Sequence, residues 1–233
     1  MTKTANRRIA FPSSPIAFLK KLKSNNNREW FNANKNKFLE EQGRVELFAE
    51  ALLQYLNTHD MIETVSGKKS LYRIYRDIRF SGNKTPYKTS WSGYFKRAGK
   101  QRRGGYYYHI EPGNNFIAGG FWGPNPADLK RIRDEIAFDD KPLRTILNRK
   151  SFIVTFGNLQ GEQVKTTPRG FDATNAGIDL LRFKQFLLIR HFSDAAVLNE
   201  TFLEETSRTF KNMRPFFDYM SEVLSTGANG VAE

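Results

Sequence analysis

KKSLYRIYRDIRFSGNKTPYKTSWSGYFKRAGKQRR, residues 68 to 103, is where the hydrophobic period of the chain changes. In LYRIYRDIRF, Tyr72, Ile74, Ile78 and Phe80 alternate with Arg73, Tyr75, Asp77 and Arg79. Side chains on a strand alternate between faces, so a period of two predicts a strand with one apolar face and one Arg–Tyr–Asp–Arg face. Arg76 falls on the apolar side. Either a bulge re-aims it, or its guanidinium is buried against a carboxylate from elsewhere. A loop marked by Ser81, Gly82, Asn83 and Pro86 follows. SGYFKRA, GGYYYHIEP and NNFIAGGFW then read as three more strands, and the short joins GKQRRGG and PGNN predict an antiparallel meander.

Helices flank this region on both sides. Ser13 or Ser14 before Pro15 starts a short helix, IAFLKKLK, which SNNN ends. From Arg28 to Asn57, Phe31, Phe38, Val45 and Leu52 recur every seven residues, filled in by Trp30, Phe48, Ala49 and Leu56. That is the apolar stripe of a core-facing helix. Downstream, Asn125 and Pro126 open a helix with Leu129, Ile132 and Ile136 on one side, and a second runs from about Lys141 to Asn148. SFIVTF reads as another strand, its run being too short to exclude a helix. LLRFKQFLLIR reads as a helix, and a last long one starts at Ser193 or Asp194, reaches about Leu224 and bends or restarts at Pro215. The expected fold is α+β: a single domain over residues 13–224, with a mostly antiparallel sheet packed by N-terminal and C-terminal helices. Residues 1–12 are expected to be a flexible basic lead-in, and 225–233 a disordered tail.

Composition narrows the function. The quoted segment holds twelve Lys or Arg and one acid, Asp77, so it carries +11 of the chain's +13. The remainder is nearly balanced, which makes the basicity a local patch. The 233 residues contain no cysteine, which excludes disulfides, thiolate metal sites and thiol catalysis. No apolar run approaches the ~20 residues that cross a bilayer, and no apolar stretch of signal-peptide type follows the basic N-terminus. A soluble, cytoplasmic protein is expected.

Two constellations carry possible chemistry. Arg73, Arg76, Arg79, Lys84, Tyr87 and Lys88 place cations and rings over one small surface. Guanidinium forks match phosphate oxygens, and Tyr72, Tyr75, Tyr87, Trp91, Tyr94 and Phe95 supply stacking surfaces. Asp77, the lone acid, orients an arginine, binds a metal or activates a nucleophile. On the strand GGYYYHIEP, Tyr107, His109 and Glu111 share a face, so His109 and Glu111 form a candidate acid–base pair. No metal site is assigned, and the residues do not specify a cofactor. GNKT lacks the upstream glycine of a phosphate-binding loop, and no dinucleotide, serine-hydrolase or zinc-protease motif is present. Gly119 and Gly120 within a strand permit close backbone approach by a ligand or another strand.

The motifs R-x-Y-R-D-x-R-F-S-x-x-K-x-P-Y-K-T (Arg73 to Thr89), Y-x-H-I-x-P-G (Tyr107 to Gly113), G-G-F-W-x-P (Gly119 to Pro124) and P-R-G-F-D (Pro168 to Asp172) occur in that order. Together they resemble a mostly bacterial and fungal family classed as a domain of unknown function, number 2461, over roughly Pro12 to Leu224. The resemblance implies a single α+β domain. By it, Arg73, Arg76, Asp77, Arg79, Lys84, Pro86, Tyr87 and Lys88 become the leading site. It brings no activity or cofactor with it.

Three functions are then open. The first is binding of a phosphate-bearing ligand, nucleic acid or nucleotide, through the basic strand and loop. The second is an enzyme acting on a phosphorylated or acidic small molecule, with Arg73, Arg79 and Lys88 as clamp and Asp77, His109 or Glu111 as acid–base or metal groups. That reading requires a concave pocket beside both segments. The third is a structural protein whose basic strand docks an acidic partner.

Overall fold

The computed structural model describes residues 9–225, so most of the lead-in and nearly all of the tail lie outside the described residues. The elements are helices α1 (Ser13–Ser24), α2 (Arg28–Ala33), α3 (Lys35–Leu56) and α4 (Gly67–Ser70), then strands β1 (Trp91–Lys96), β2 (Gly105–Ile110) and β3 (Asn115–Phe121). Helices α5 (Pro126–Phe138), α6 (Lys141–Leu147), α7 (Lys150–Phe156) and α8 (Ile178–Leu181) follow, then β4 (Phe186–Phe192), α9 (Asp194–Val197) and α10 (Phe202–Ser225). The strands form one antiparallel sheet in the order β1-β2-β3-β4. The fold class is α+β, as the alternation and the flanking helical stripes predict.

The chain divides into two compact units. One comprises Met1–Phe95, Tyr107–Ile117 and His191–Arg208. Its core is built on the seven-residue stripe: Phe31, Phe38, Val45, Phe48, Leu52 and Leu56 are all buried. The stripe is shared by two helices rather than one, because the chain steps out of helix at Asn34, between α2 and α3. Asn27 caps α2, its side chain accepting from Trp30 N, a pairing that satisfies one of the open amides of a first turn. Phe18 of α1 contacts Trp30, Phe38 and Trp91. Gly67 brings α4 onto α3. A Cβ there would lie 2.3 Å from Glu50 N and 2.6 Å from Glu46 O, and the Gly67 amide donates to Glu50 Oε2 at 2.6 Å.

The other unit comprises Lys96–Tyr106, Ala118–Arg190 and Thr209–Glu233. Tyr106, Phe210, Met213, Phe216 and Phe217 are buried in its core. Gly120 has φ of +129°, and a Cβ on it would stand 2.1 Å from Phe186 O, so a glycine here lets β3 and β4 approach. Arg97, 1% exposed, is drawn into this core. It donates to Asp218 Oδ1 at 2.5 Å, Ser221 Oγ at 3.2 Å and Arg103 O at 3.1 Å, beneath the Phe217 ring.

Four expectations need correction. LYRIYRDIRF is not a strand. It is an irregular extended segment with two isolated antiparallel bridges, Leu71 to Gly93 and Tyr75 to Tyr87. The register slips between them: three residues on one side, 72–74, face five on the other, 88–92. Pro86 contributes a carbonyl, to Arg76 N, but has no N–H to extend a ladder. LLRFKQFLLIR holds only the end of α8, and Phe186–Phe192 is strand β4. Its continuous apolar run suits a buried strand as well as a helix, and tertiary pairing decides. The final helix restarts at Asn199, whose side chain accepts from Thr201 N and Oγ1, and not at Pro215. Pro215 lies inside α10, where the carbonyl deprived of its donor is that of exposed Lys211. SFIVTF, read as a strand with a helix left open by its length, is helix α7.

Candidate functional site

Strand alternation turns Tyr106, Tyr108 and Ile110 of β2 into the core and leaves Tyr107 and His109, with Glu111 just past the strand, on the opposite face. These three are hydrogen-bonded in series. The Tyr107 hydroxyl lies 3.0 Å from His109 Nδ1, and His109 Nε2 lies 3.3 Å from Glu111 Oε2. Thr89 Oγ1 donates to Glu111 Oε1 at 2.6 Å, and Asn114 Nδ2 donates to Oε2 at 3.1 Å. The neighbouring strands complete the face: Phe116 stacks on His109 at 4.7 Å and lies 5.8 Å from His191.

The protonation pattern follows from these partners. Burial raises the Glu111 carboxyl, but the bonds from Thr89, Asn114 and His109 outweigh it and hold the group below the ordinary carboxylate range. Burial lowers His109 below its ordinary value of about 6.5. Lys88 pushes the same way and Glu111 opposes both. Burial also raises the Tyr107 phenol. At neutral pH the chain therefore runs from a protonated Tyr107 through a neutral imidazole to an ionised carboxylate. An ionised carboxylate only accepts, so the imidazole proton sits on Nε2 and Nδ1 accepts from Tyr107.

A folded-state imidazole pKa below the unfolded value contributes stability that is present above the unfolded value and lost as pH falls through the folded one. Urea unfolding of the wild type is therefore expected to show declining stability from about pH 7.5 to 5. His109→Gln should flatten the profile in that window. A profile unchanged by the substitution would show that His109 is not held neutral. The depressed Glu111 acts in a lower window, below about pH 4.5.

Lys88 brings positive charge to this face. Its ammonium stands 5.3 Å over the Tyr72 ring, and burial and Arg73 lower its pKa. Tyr72 in turn lies 6.2 Å from Tyr107. Tyr72 also helps to line a cleft of about 320 Å³, together with Lys68, Lys69, Arg73, Tyr75 and Trp91. Three cations and no acid line it. Trp91 and Phe38, stacked at 5.5 Å, form part of its wall.

The basic residues thus divide between two places. Lys88 belongs with His109, and Arg73 lines the cleft. The others bond within residues 76–85: the half-buried Arg76 guanidinium binds Thr85 O and Oγ1, Arg79 pairs bidentately with Asp77, and Lys84 donates to Ile78 O at 3.0 Å. Arg79 is the first cause of Asp77's lowered pKa. Asp77 is thereby an arginine partner, and Arg76 is held by a threonine, where a bulge or a buried carboxylate was expected. Tyr87 is 4% exposed and stacks on Phe31 at 3.9 Å, supporting the site from the core. The exchange of bonds between Asn26 and the Tyr87 backbone anchors that support. Sequence reasoning missed Thr89, Asn114 and the cleft. Lys68 and Lys69 were visible only as charge, because nothing local signals that α4 turns them toward Tyr72.

The family described as a conserved hypothetical protein (DUF2461) matches residues 14–219, and the chain belongs to that family. No curated protein and no solved structure matches it. Among the described residues, no group of His, Cys, Asp or Glu is arranged to hold a metal ion, and no helix is long and apolar enough to cross a membrane.

Proposed function

We propose that the protein binds a phosphate-bearing small molecule in the cleft and acts on it through the Tyr107–His109–Glu111 chain. The observation that carries this reading is that one tyrosine, Tyr72, both lines the cationic cleft and lies 6.2 Å from Tyr107. Lys68, Lys69 and Arg73 hold the anion in the cleft, and Lys88, over the Tyr72 ring, adds a point charge beside it, Arg acting as a planar fork. The Tyr107 hydroxyl is the group that meets the ligand. His109 behind it takes or returns the proton, and Glu111 orients the imidazole and stabilises its charged form.

Calorimetric titration with inorganic pyrophosphate tests both halves. Saturable binding is expected, and Arg73→Ala/Lys88→Ala should weaken it by roughly 100-fold or more, since charged hydrogen bonds contribute about 1.5–3 kcal/mol each. An anion near His109 favours the imidazolium, so binding at about pH 6.5 should take up protons from the buffer. His109→Gln should abolish that uptake while retaining affinity. Absence of saturable binding removes the proposal. Binding without proton uptake removes its acid–base half.

A second reading rests on the loop tip. Phe80, 98% exposed, sits beside Arg79 near Lys84, a ring with cations that single-stranded nucleic acid could stack upon. Oligonucleotide binding with a steep salt slope, in a protein that ignores pyrophosphate, would favour it.

A further inference from the structure

The cleft differs from a plain phosphate site in carrying two pinned but accessible aromatic rings. Tyr72 and Tyr75 each remain half exposed. Tyr72 is fixed by Lys88 on one side and Tyr107 on the other, and Tyr75 by Phe31 at 6.1 Å and Tyr87 at 5.6 Å. Rings held this way lose little freedom when a ligand stacks on them. A sugar phosphate or inorganic anion would leave both rings in water, while a planar heterocycle would cover them.

One uncharged polar side chain stands among the lining residues. Gln42 commits one N–H of its amide to Glu46 Oε1 at 2.7 Å, which turns that nitrogen toward Glu46 and leaves the carbonyl oxygen as an acceptor, suited to an exocyclic amine. The volume, about 320 Å³, lies at the small end of the range for ligand sites, which fits a single nucleotide better than a dinucleotide.

We propose that the ligand is a mononucleotide bearing an amino-substituted base, with the base against Tyr72, Tyr75 and Gln42 and the phosphate held by Lys68, Lys69 and Arg73. This rests on the phosphate-binding reading above and narrows it to a substrate class.

Calorimetry with AMP, ribose 5-phosphate and inorganic pyrophosphate separates the two claims. AMP is expected to bind about tenfold or more tightly than ribose 5-phosphate, the margin being the stacked base. Tyr75→Leu and, separately, Gln42→Leu should shrink that margin by at least threefold and leave ribose 5-phosphate affinity unchanged, which also shows that the variants fold. If ribose 5-phosphate binds as tightly as AMP, the nucleotide assignment falls and the phosphate site stands. If AMP keeps its margin in both variants, the base lies elsewhere and the assignment falls. If none of the three compounds binds, both claims fall together.

Discussion

Replacing Gly120 with alanine is expected to lower folding stability by about 3 kcal/mol or more. Two independent effects add. The residue has φ of +129°, a conformation L-residues adopt only at a cost of about 1–3 kcal/mol. The new methyl would also meet the Phe186 carbonyl oxygen at 2.1 Å, far inside contact distance. The obstructing atom is backbone, so no rotamer change relieves it, and β3 and β4 must separate. Urea denaturation should show the loss, and the melting temperature should fall by about 6–12 °C for a protein of this size. A variant within 1 kcal/mol of wild type would show that the two strands are not in register at this point.

The second large loss is expected from Asp218→Ala, at about 3 kcal/mol. The Arg97 side chain is 1% exposed and that of Asp218 is half exposed, so the pair is buried at its cationic end. Removing the carboxylate takes a charged acceptor from a buried guanidinium, and the Ser221 hydroxyl and Arg103 carbonyl that also accept from it are neutral. The conjoint variant Arg97→Met/Asp218→Ala should recover most of the loss, because an apolar side chain of similar length needs no counter-charge there. Equal unfolding midpoints for wild type and Asp218→Ala would show that the pair contributes nothing.

Arg97 also marks the limit of what charge composition conveys. In sequence it is one of twelve cations in a +11 segment. In the fold it belongs to the core, Arg103 pairs with Asp128, and Arg79 pairs with Asp77. Asp77 lies two residues from Arg79 and is counted in that sum, but the acids of Arg97 and Arg103 lie 121 and 25 residues away, where no window of local sequence could have cancelled them. What survives as a cationic site is smaller, and it centres on Arg73, Lys88 and the lysines of α4.

Signals that depend on local period alone were read correctly. The stripe from Phe31 to Leu56 is buried, β1 to β3 form as the meander, and Tyr107, His109 and Glu111 share the face that their odd spacing implies. Signals that needed a partner strand were not. The alternation in Tyr72 to Phe80 satisfies period two, yet the opposing chain contains Pro86 and two surplus residues, so no continuous ladder closes. β4 shows the converse: Phe186 to Ile189 has no alternation and still pairs, because Gly120 on β3 makes room for it. Register is a property of two segments, and each was legible only by itself.

Trp91 has a consequence of a different kind. Its indole is 3% exposed, stacked on Phe38 and bonded through Nε1 to Pro15 O, yet it forms part of the cleft wall. Trp122, at 70% exposure, is bathed in water. Of the chain's three tryptophans, Trp30 is half-buried against Phe18, and the other two stand in opposite surroundings, one in water and one at the cleft wall. A ligand bound in the cleft as proposed is therefore expected to change the blue edge of the intrinsic emission, a readout that needs no dye or label.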